Sequence, residues 1–126
     1  MTGRRRVLIV DDDPAVLRVL SRMLGEGCEA LTAATASEGL DIALQEPLDL
    51  AIIDVVMPGV DGRTLASTLR DAALTRDIPI LMLTGLSGPE ERLDGLAAGA
   101  DAYMTKPFDG NVLWASVQRL MAGGSI

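Results

Sequence analysis

The sequence predicts an open α/β fold, a parallel sheet of five strands with helices on both faces. Three observations carry this expectation. Short runs in which every residue is apolar recur along the chain, as in strands buried on both faces. Helical patterns of apolar residues follow each strand in strict alternation. The length, 126 residues, fits one domain with a full hydrophobic core.

The first strand covers Val7 to Val10. Asp13-Pro14 then reads as an N-cap with proline at the first helical position. Val16, Leu17, Leu20, Met23 and Leu24 recur at helical spacing until Gly25 or Gly27 ends the helix. A weaker strand covers about Ala30 to Ala34. Thr35 and Glu38 form a candidate capping box for the second helix, with Leu40, Ala43 and Leu44 on its apolar face and Pro47 closing the segment. Leu50 to Ile53 is the third strand, and Leu65 and Leu69 mark the third helix. The fourth strand is Ile80 to Leu83. Glu90 and Glu91 fill the first turn of the fourth helix, where negative charge suits the dipole, with Leu93, Leu96 and Ala97 inward and Gly99 as terminator. Ala102 to Thr105 is the fifth strand, followed by a helix with the inner stripe Leu113, Val117, Leu120 and Met121. Trp114, at the edge of that stripe, reads as core packing, with a partner contact as the alternative. Right-handed crossovers and this length favour the flavodoxin-like (βα)5 strand order 2-1-3-4-5. Residues 1–126 read as one domain, with Gly123 to Ile126 a frayed tail or the start of a linker.

Composition excludes several function classes. Hydrophobic residues make up 48% and charged residues 23%, a soluble globular balance. A net charge of −7 argues against nucleic acid or an anionic membrane as a direct partner. Arg4 to Arg6 is the one basic run and reads as a solvated tail. The basic-then-apolar start has the order of a signal peptide, but Asp11-Asp12-Asp13 ends the apolar run too early. No apolar run approaches the roughly 18 residues that span a bilayer. Cys28 is the single cysteine, so no intrachain disulfide forms, and the expected setting is the cytoplasm. The chain has no histidine, which rules out Ser-His-Asp catalysis and histidine metal sites.

In an open α/β sheet the site lies beyond the carboxyl ends of the strands, near the point where strand order reverses. The first strand ends in Asp11-Asp12 and the third in Asp54, and these strands flank the reversal. The fourth ends in Thr84, and the fifth delivers Lys106, the only lysine. Each residue alone has a plain structural reading: Asp11, Asp12 or Asp13 as a helix cap, Asp54 as a turn residue, Thr84 as a strand residue. Their convergence at one end of the sheet is what singles them out. Converging carboxylates repel unless some stay protonated or a cation binds. Oxygen-only ligands point to a hard ion, with Mg²⁺ the natural candidate.

At this point the chain resembles the receiver domain of two-component response regulators over nearly its whole length. The segments that carry the resemblance are Val7 to Pro14, Asp54 to Gly62, Leu83-Thr84-Gly85 and Gly99 to Phe108. It implies that Asp54 accepts a phosphoryl group from a phosphohistidine on a sensor histidine kinase or histidine phosphotransfer protein. Asp12 and Asp54 would hold Mg²⁺ directly, Asp11 mainly through water, and the backbone carbonyl of Val56 would complete the set. Thr84 and Lys106 would contact the phosphoryl group, with Gly85 leaving the approach open. Tyr103 would turn from exposed to buried, altering the face made by the fourth helix, fifth strand and fifth helix. The Lys106-Pro107 bond would be cis. Gly62 and Gly99 would serve backbone geometry, and Met57 and Phe108 packing. The chain would be a switch, no enzyme beyond its own phosphorylation and dephosphorylation. Leu113 to Val117 lacks the basic residue that helps many receivers joined to DNA-binding domains to dimerise.

Three rivals are weaker. A haloacid-dehalogenase-like phosphatase needs an aspartate two residues after its nucleophile, where this chain has Val56. A flavodoxin-type carrier would cradle a phosphate in the first loop, where Asp11, Asp12 and Asp13 repel one. A receiver-like interaction module that is never phosphorylated could lack any of the five key groups, yet all are present. The cognate kinase, the output, and any output domain following Ile126 are not legible in the sequence.

Overall fold

The computed structural model describes residues 4–123. In chain order these form β1 (Arg5–Val10), α1 (Pro14–Leu24), β2 (Cys28–Ala33), α2 (Ala36–Gln45), β3 (Leu50–Ile53), α3 (Gly62–Asp71), β4 (Ile80–Thr84), α4 (Pro89–Ala98), β5 (Ala102–Thr105) and α5 (Gly110–Met121). All strand pairs are parallel and the sheet order is β2-β1-β3-β4-β5, the order expected of the sequence. Of the expected tail, residues 124–126 lie outside the described residues.

The all-apolar strands feed two cores, because successive side chains leave opposite faces. Leu8, Val10, Ala51, Ile53, Ile80 and Met82 face one way, beneath α2, α3 and α4. Val7, Ile9, Leu50, Ile52, Leu81 and Leu83 face the other, beneath α1 and α5. Helix starts follow the capping chemistry. The Asp13 carboxylate accepts the Ala15 N–H, and the Thr35 hydroxyl accepts the Glu38 N–H. Glu38 reaches back one residue beyond the cap, to the Ala34 N–H at 2.7 Å. Asp61 and Asp109, not singled out in the sequence, cap α3 and α5 in the same way.

Four expectations need correction. The arginine run is no solvated tail, since Arg5 and Arg6 begin β1. Arg6 pairs with Glu29 across β2 at 3.2 Å and with Glu46 at 3.3 Å, Arg5 bonds the Met121 carbonyl, and Arg4 bonds the Gly25 carbonyl. For the same reason β2 starts at Cys28, two residues earlier than its apolar pattern suggested: Arg5 and Arg6 pair in register with Cys28 and Glu29. Leu44 of α2 is exposed, and the helix instead brings Gly39 against Val10. The largest miss is α4. Leu93, Leu96 and Ala97 face solvent, and the buried position is Gly95. A Cβ there would lie 2.8 Å from the Tyr103 ring and 2.9 Å from the Met82 sulfur, so the missing side chain lets α4 lie directly on the strands.

Candidate functional site

Two backbone bonds extend the ladder past the strand ends and bring the acids together. The Asp11 N–H donates to the Ala33 carbonyl at 3.1 Å, and the Asp54 N–H to the Val10 carbonyl at 2.9 Å. Asp11 and Asp54 are thereby buried, at 3% and 6% exposure, while Asp12 stays exposed. Carboxylate oxygens of Asp11, Asp12 and Asp54 all lie within 4.8 Å of one another, an arrangement that could hold a metal ion. Gly62 makes the close packing behind Asp54 possible. A Cβ on Gly62 would sit 1.9 Å from the Asp54 carbonyl oxygen.

Lys106 enters this cluster from the end of β5. Its ammonium donates to Asp11 Oδ2 at 2.7 Å and to Asp54 Oδ2 at 3.0 Å. The remaining oxygens are held by backbone, Asp11 Oδ1 by the Asp13 N–H at 2.9 Å and Asp54 Oδ1 by the Val56 N–H at 3.3 Å. Among the described residues no buried side-chain polar atom lacks a partner. Burial pushes the Asp11 carboxyl above its ordinary value against the pull of the Lys106 hydrogen bond, and the nearby Asp54 charge adds to the rise. For Lys106, burial pulls the ammonium down, but its hydrogen bonds to Asp11 and Asp54 outweigh that and raise it above its ordinary value. The ammonium therefore stays charged through the neutral range. Three carboxylates face a single ammonium, so the cluster is short of positive charge, which suits a divalent cation.

Thr84, the last residue of β4, is fully buried, and its hydroxyl accepts the Leu86 N–H at 3.4 Å. The Lys106 N–H donates to the Thr84 carbonyl at 2.8 Å, tying the two strand ends together. Tyr103 lies inward at 6% exposure, in the buried one of the two positions the resemblance implies. Its hydroxyl donates to the Leu86 carbonyl at 2.7 Å. Burial, then the neighbouring Glu91 charge, holds its phenol above its ordinary value. Gly85 is exposed with open space where a Cβ would stand, and the Lys106–Pro107 bond is cis. The Val56 side chain is 57% exposed at the rim, with Leu86 half-buried.

The structure thus brings Asp11, Asp12, Asp54 and Lys106 to one end of the sheet and links Thr84 to Tyr103 through Leu86. Sequence reasoning missed the Leu86 carbonyl, a backbone group with no signature, and Gly95, which reads as a helix weakener. Cavity size does not mark the site. A cavity of about 450 Å³ lies at the opposite end of the strands, lined by Arg70, Arg76, Pro79 and Asp101 among others. No helix among the described residues is long and apolar enough to cross a membrane.

Known proteins resemble this chain in sequence and fold. The family model for the response regulator receiver domain matches residues 7–118. Response regulator PleD of Caulobacter vibrioides is 39% identical over 116 residues, covering 91% of this chain and 26% of that protein. The DNA-binding dual master transcriptional regulator RpaA of Synechocystis is 40% identical over 117 residues, covering 92% of this chain and 48% of its own length. The chain thus spans between about a quarter and a half of these relatives. Among solved structures, a putative response regulator from Chloroflexus aurantiacus matches with a TM-score of 0.90 at 38% identity, covering 95% of this chain and 99% of that one. The chemotaxis protein CheY4 of Vibrio cholerae gives 0.89 at 34%, covering 94% and 99%. With the fold, the acidic cluster and these matches in agreement, the chain belongs to the receiver domain family of two-component response regulators.

Proposed function

We propose that the chain is a phosphorylation-dependent switch in which Asp54 takes a phosphoryl group from a phosphohistidine. The observation that carries this reading is the buried Asp54 carboxylate, bonded to Lys106 and beside two further acids. An Asp54 oxygen attacks phosphorus, the phosphorus–nitrogen bond breaks, and the imidazole leaves. These 126 residues hold no histidine, so the donor imidazole lies outside them, on a sensor histidine kinase or a histidine phosphotransfer protein. The cluster fits Mg²⁺, which Asp12, Asp54 and the Val56 backbone carbonyl would hold directly and Asp11 mainly through water, and which would supply neutralisation of the charge that builds on the transferring group. The Lys106 ammonium would support the same charge. Thr84 then donates its hydroxyl to a phosphoryl oxygen, and the movement reaches Tyr103 and the surface of α4, β5 and α5 through Leu86. We place the switch in the cytoplasm, and it turns over no external substrate. Incubation with acetyl phosphate and Mg²⁺, followed by intact mass, tests this: one phosphoryl group is added, none when Mg²⁺ is chelated. No addition, or addition indifferent to Mg²⁺, overturns the reading.

Lys106→Ala is expected to keep its far-UV circular dichroism and to slow phosphoryl uptake about a hundredfold, the cost of losing one preorganised charge-stabilising donor. The side chain has little packing to lose, and its partners are the reacting carboxylates. An unchanged rate together with an unchanged activated state would count against its role.

The rim of the site bears on how long the signal lasts. Val56 and Leu86, two residues after Asp54 and Thr84, are apolar, and an ordered attacking water needs at least two polar partners. A long-lived phosphorylated state is expected, suited to a transcriptional or second-messenger output better than to rapid motility control. The Val56→Asn, Leu86→Glu double variant should lose its phosphoryl group several times faster than wild type in a decay assay. Equal or slower loss, or rapid decay of wild type, sinks the idea.

A further inference from the structure

Helix α4 is fastened unequally at its two ends. At the C-terminal end, the Arg70 guanidinium from the last turn of α3 engages all five of its N–H donors. Nε and Nη2 donate to the Gly99 carbonyl at 3.0 and 2.8 Å. Nη1 donates to the Arg76 and Ile78 carbonyls at 2.8 and 2.6 Å, and Nη2 also reaches the Asp101 carboxylate at 2.7 Å. Asp101 in turn accepts the Ile80 N–H at 2.9 Å. Gly99 is the residue that ends α4, at φ +127°, and a Cβ there would lie 2.7 Å from the Arg70 side chain. One planar cation therefore joins the ends of α3 and α4 to the starts of β4 and β5.

Among the described residues the N-terminal end has nothing comparable. Gly88 gives α4 no side-chain cap. Its ties to α3 are Arg63 with Glu91 at 3.7 Å and with Asp94 at 3.6 Å, between side chains at least a third exposed, and such pairs contribute little. Between the two ends, Gly95 rests on the Tyr103 ring and Met82. Tyr103 is bonded to Leu86, and Leu86 to Thr84, in the segment leading into α4.

We infer that α4 is a lever hinged at its C-terminal end by Arg70, so that movement at Thr84, Leu86 and Tyr103 emerges as a swing of its N-terminal half. The source of the movement rests on the proposed phosphorylation switch, whereas the hinge is a property of the unphosphorylated chain. Arg70 is a positioning residue and touches no member of the acidic cluster.

Residue-resolved hydrogen exchange on the whole chain tests the hinge. In untreated wild type, the Gly99 and Ala100 amides, bonded to Leu96 and Gly95, should exchange more slowly than those of Arg92 and Leu93. The expected gap is roughly tenfold or more, the scale of a hydrogen bond to a charged group. Arg70→Lys keeps the charge and loses the fork, and it should erase that gap. Equal rates at the two ends of wild-type α4, or an unchanged gradient in Arg70→Lys, overturns the proposal, and the wild-type measurement needs no variant to fold. Beryllofluoride with Mg²⁺, a phosphoryl mimic, should alter exchange in the N-terminal half and leave Gly99 and Ala100 unmoved; equal change at both ends also overturns the hinge. Failure to bind beryllofluoride or to take up a phosphoryl group counts instead against the switch, and the hinge then stands or falls on the untreated gradient.

Discussion

Asp54→Ala is expected to stay folded and to take up no phosphoryl group from acetyl phosphate and Mg²⁺. The wild-type adduct should be single and labile to hydroxylamine, as an acyl phosphate is. Asp11 and Asp12 lie within 4.8 Å of Asp54, so the experiment also asks whether a neighbour can substitute. Attack needs a carboxylate placed where cationic groups can meet the transferring charge, and Asp54 sits at the end of β3 with one oxygen on Lys106 and the other on backbone. Stability should not suffer. The Asp54 charge raises the Asp11 carboxyl, so its removal relieves repulsion, while Lys106 keeps Asp11 as its partner at 2.7 Å. Labelling of Asp54→Ala as strong as wild type would show that the acceptor is misassigned.

Gly62→Ala is expected to have the largest effect on stability of any glycine-to-alanine change among the described residues. The new Cβ would stand 1.9 Å from the Asp54 carbonyl oxygen and 2.8 Å from its carbonyl carbon and from the Ile53 side chain. Two of those atoms are backbone, so no rotamer change relieves the clash and the first turn of α3 must lift away from the end of β3. A loss above about 3 kcal/mol follows, in the range of gross core faults. Urea unfolding measures it as a lowered midpoint. Any protein that still folds should also be a poor phosphoryl acceptor, because the displaced backbone is that of Asp54. Gly85→Ala serves as the control, since a Cβ there meets nothing within 4 Å and the midpoint should hardly move. A Gly62→Ala midpoint equal to that of wild type would remove the packing argument.

These expectations divide along the line between what the sequence shows and what it hides. Val7 to Val10, Leu50 to Ile53 and Ile80 to Leu83 announce buried strands because nothing polar interrupts them, and their order follows from chain alternation. Asp11, Asp54, Thr84 and Lys106 stand out because each breaks or follows an apolar run at the same end. The arginines before Val7 were less legible, since a charged strand residue and a tail residue look alike until Glu29, Glu46 and Asp49 are known to face them. In α4 the usual rule inverts. Apolar periodicity assumes that bulk points inward, yet Gly95 makes the contact and Leu93 stands 65% exposed. Arg70 was invisible for a related reason: four of its five donors reach backbone carbonyls, which leave no trace in residue identity.

The sheet also separates the chain's two ultraviolet reporters. Tyr103, the single tyrosine, is packed in the core beneath α2, α3 and α4, with its hydroxyl bonded to Leu86. Trp114, the single tryptophan, packs with the core under α1 and α5, its ring 3.4 Å from where a Cβ on Gly27 would be. Each layer therefore carries its own optical label without engineering. Tyrosine absorbance follows the environment beside Thr84, and tryptophan emission follows the α1 and α5 side, so events on the two faces of one small sheet are spectrally separable in a single cuvette.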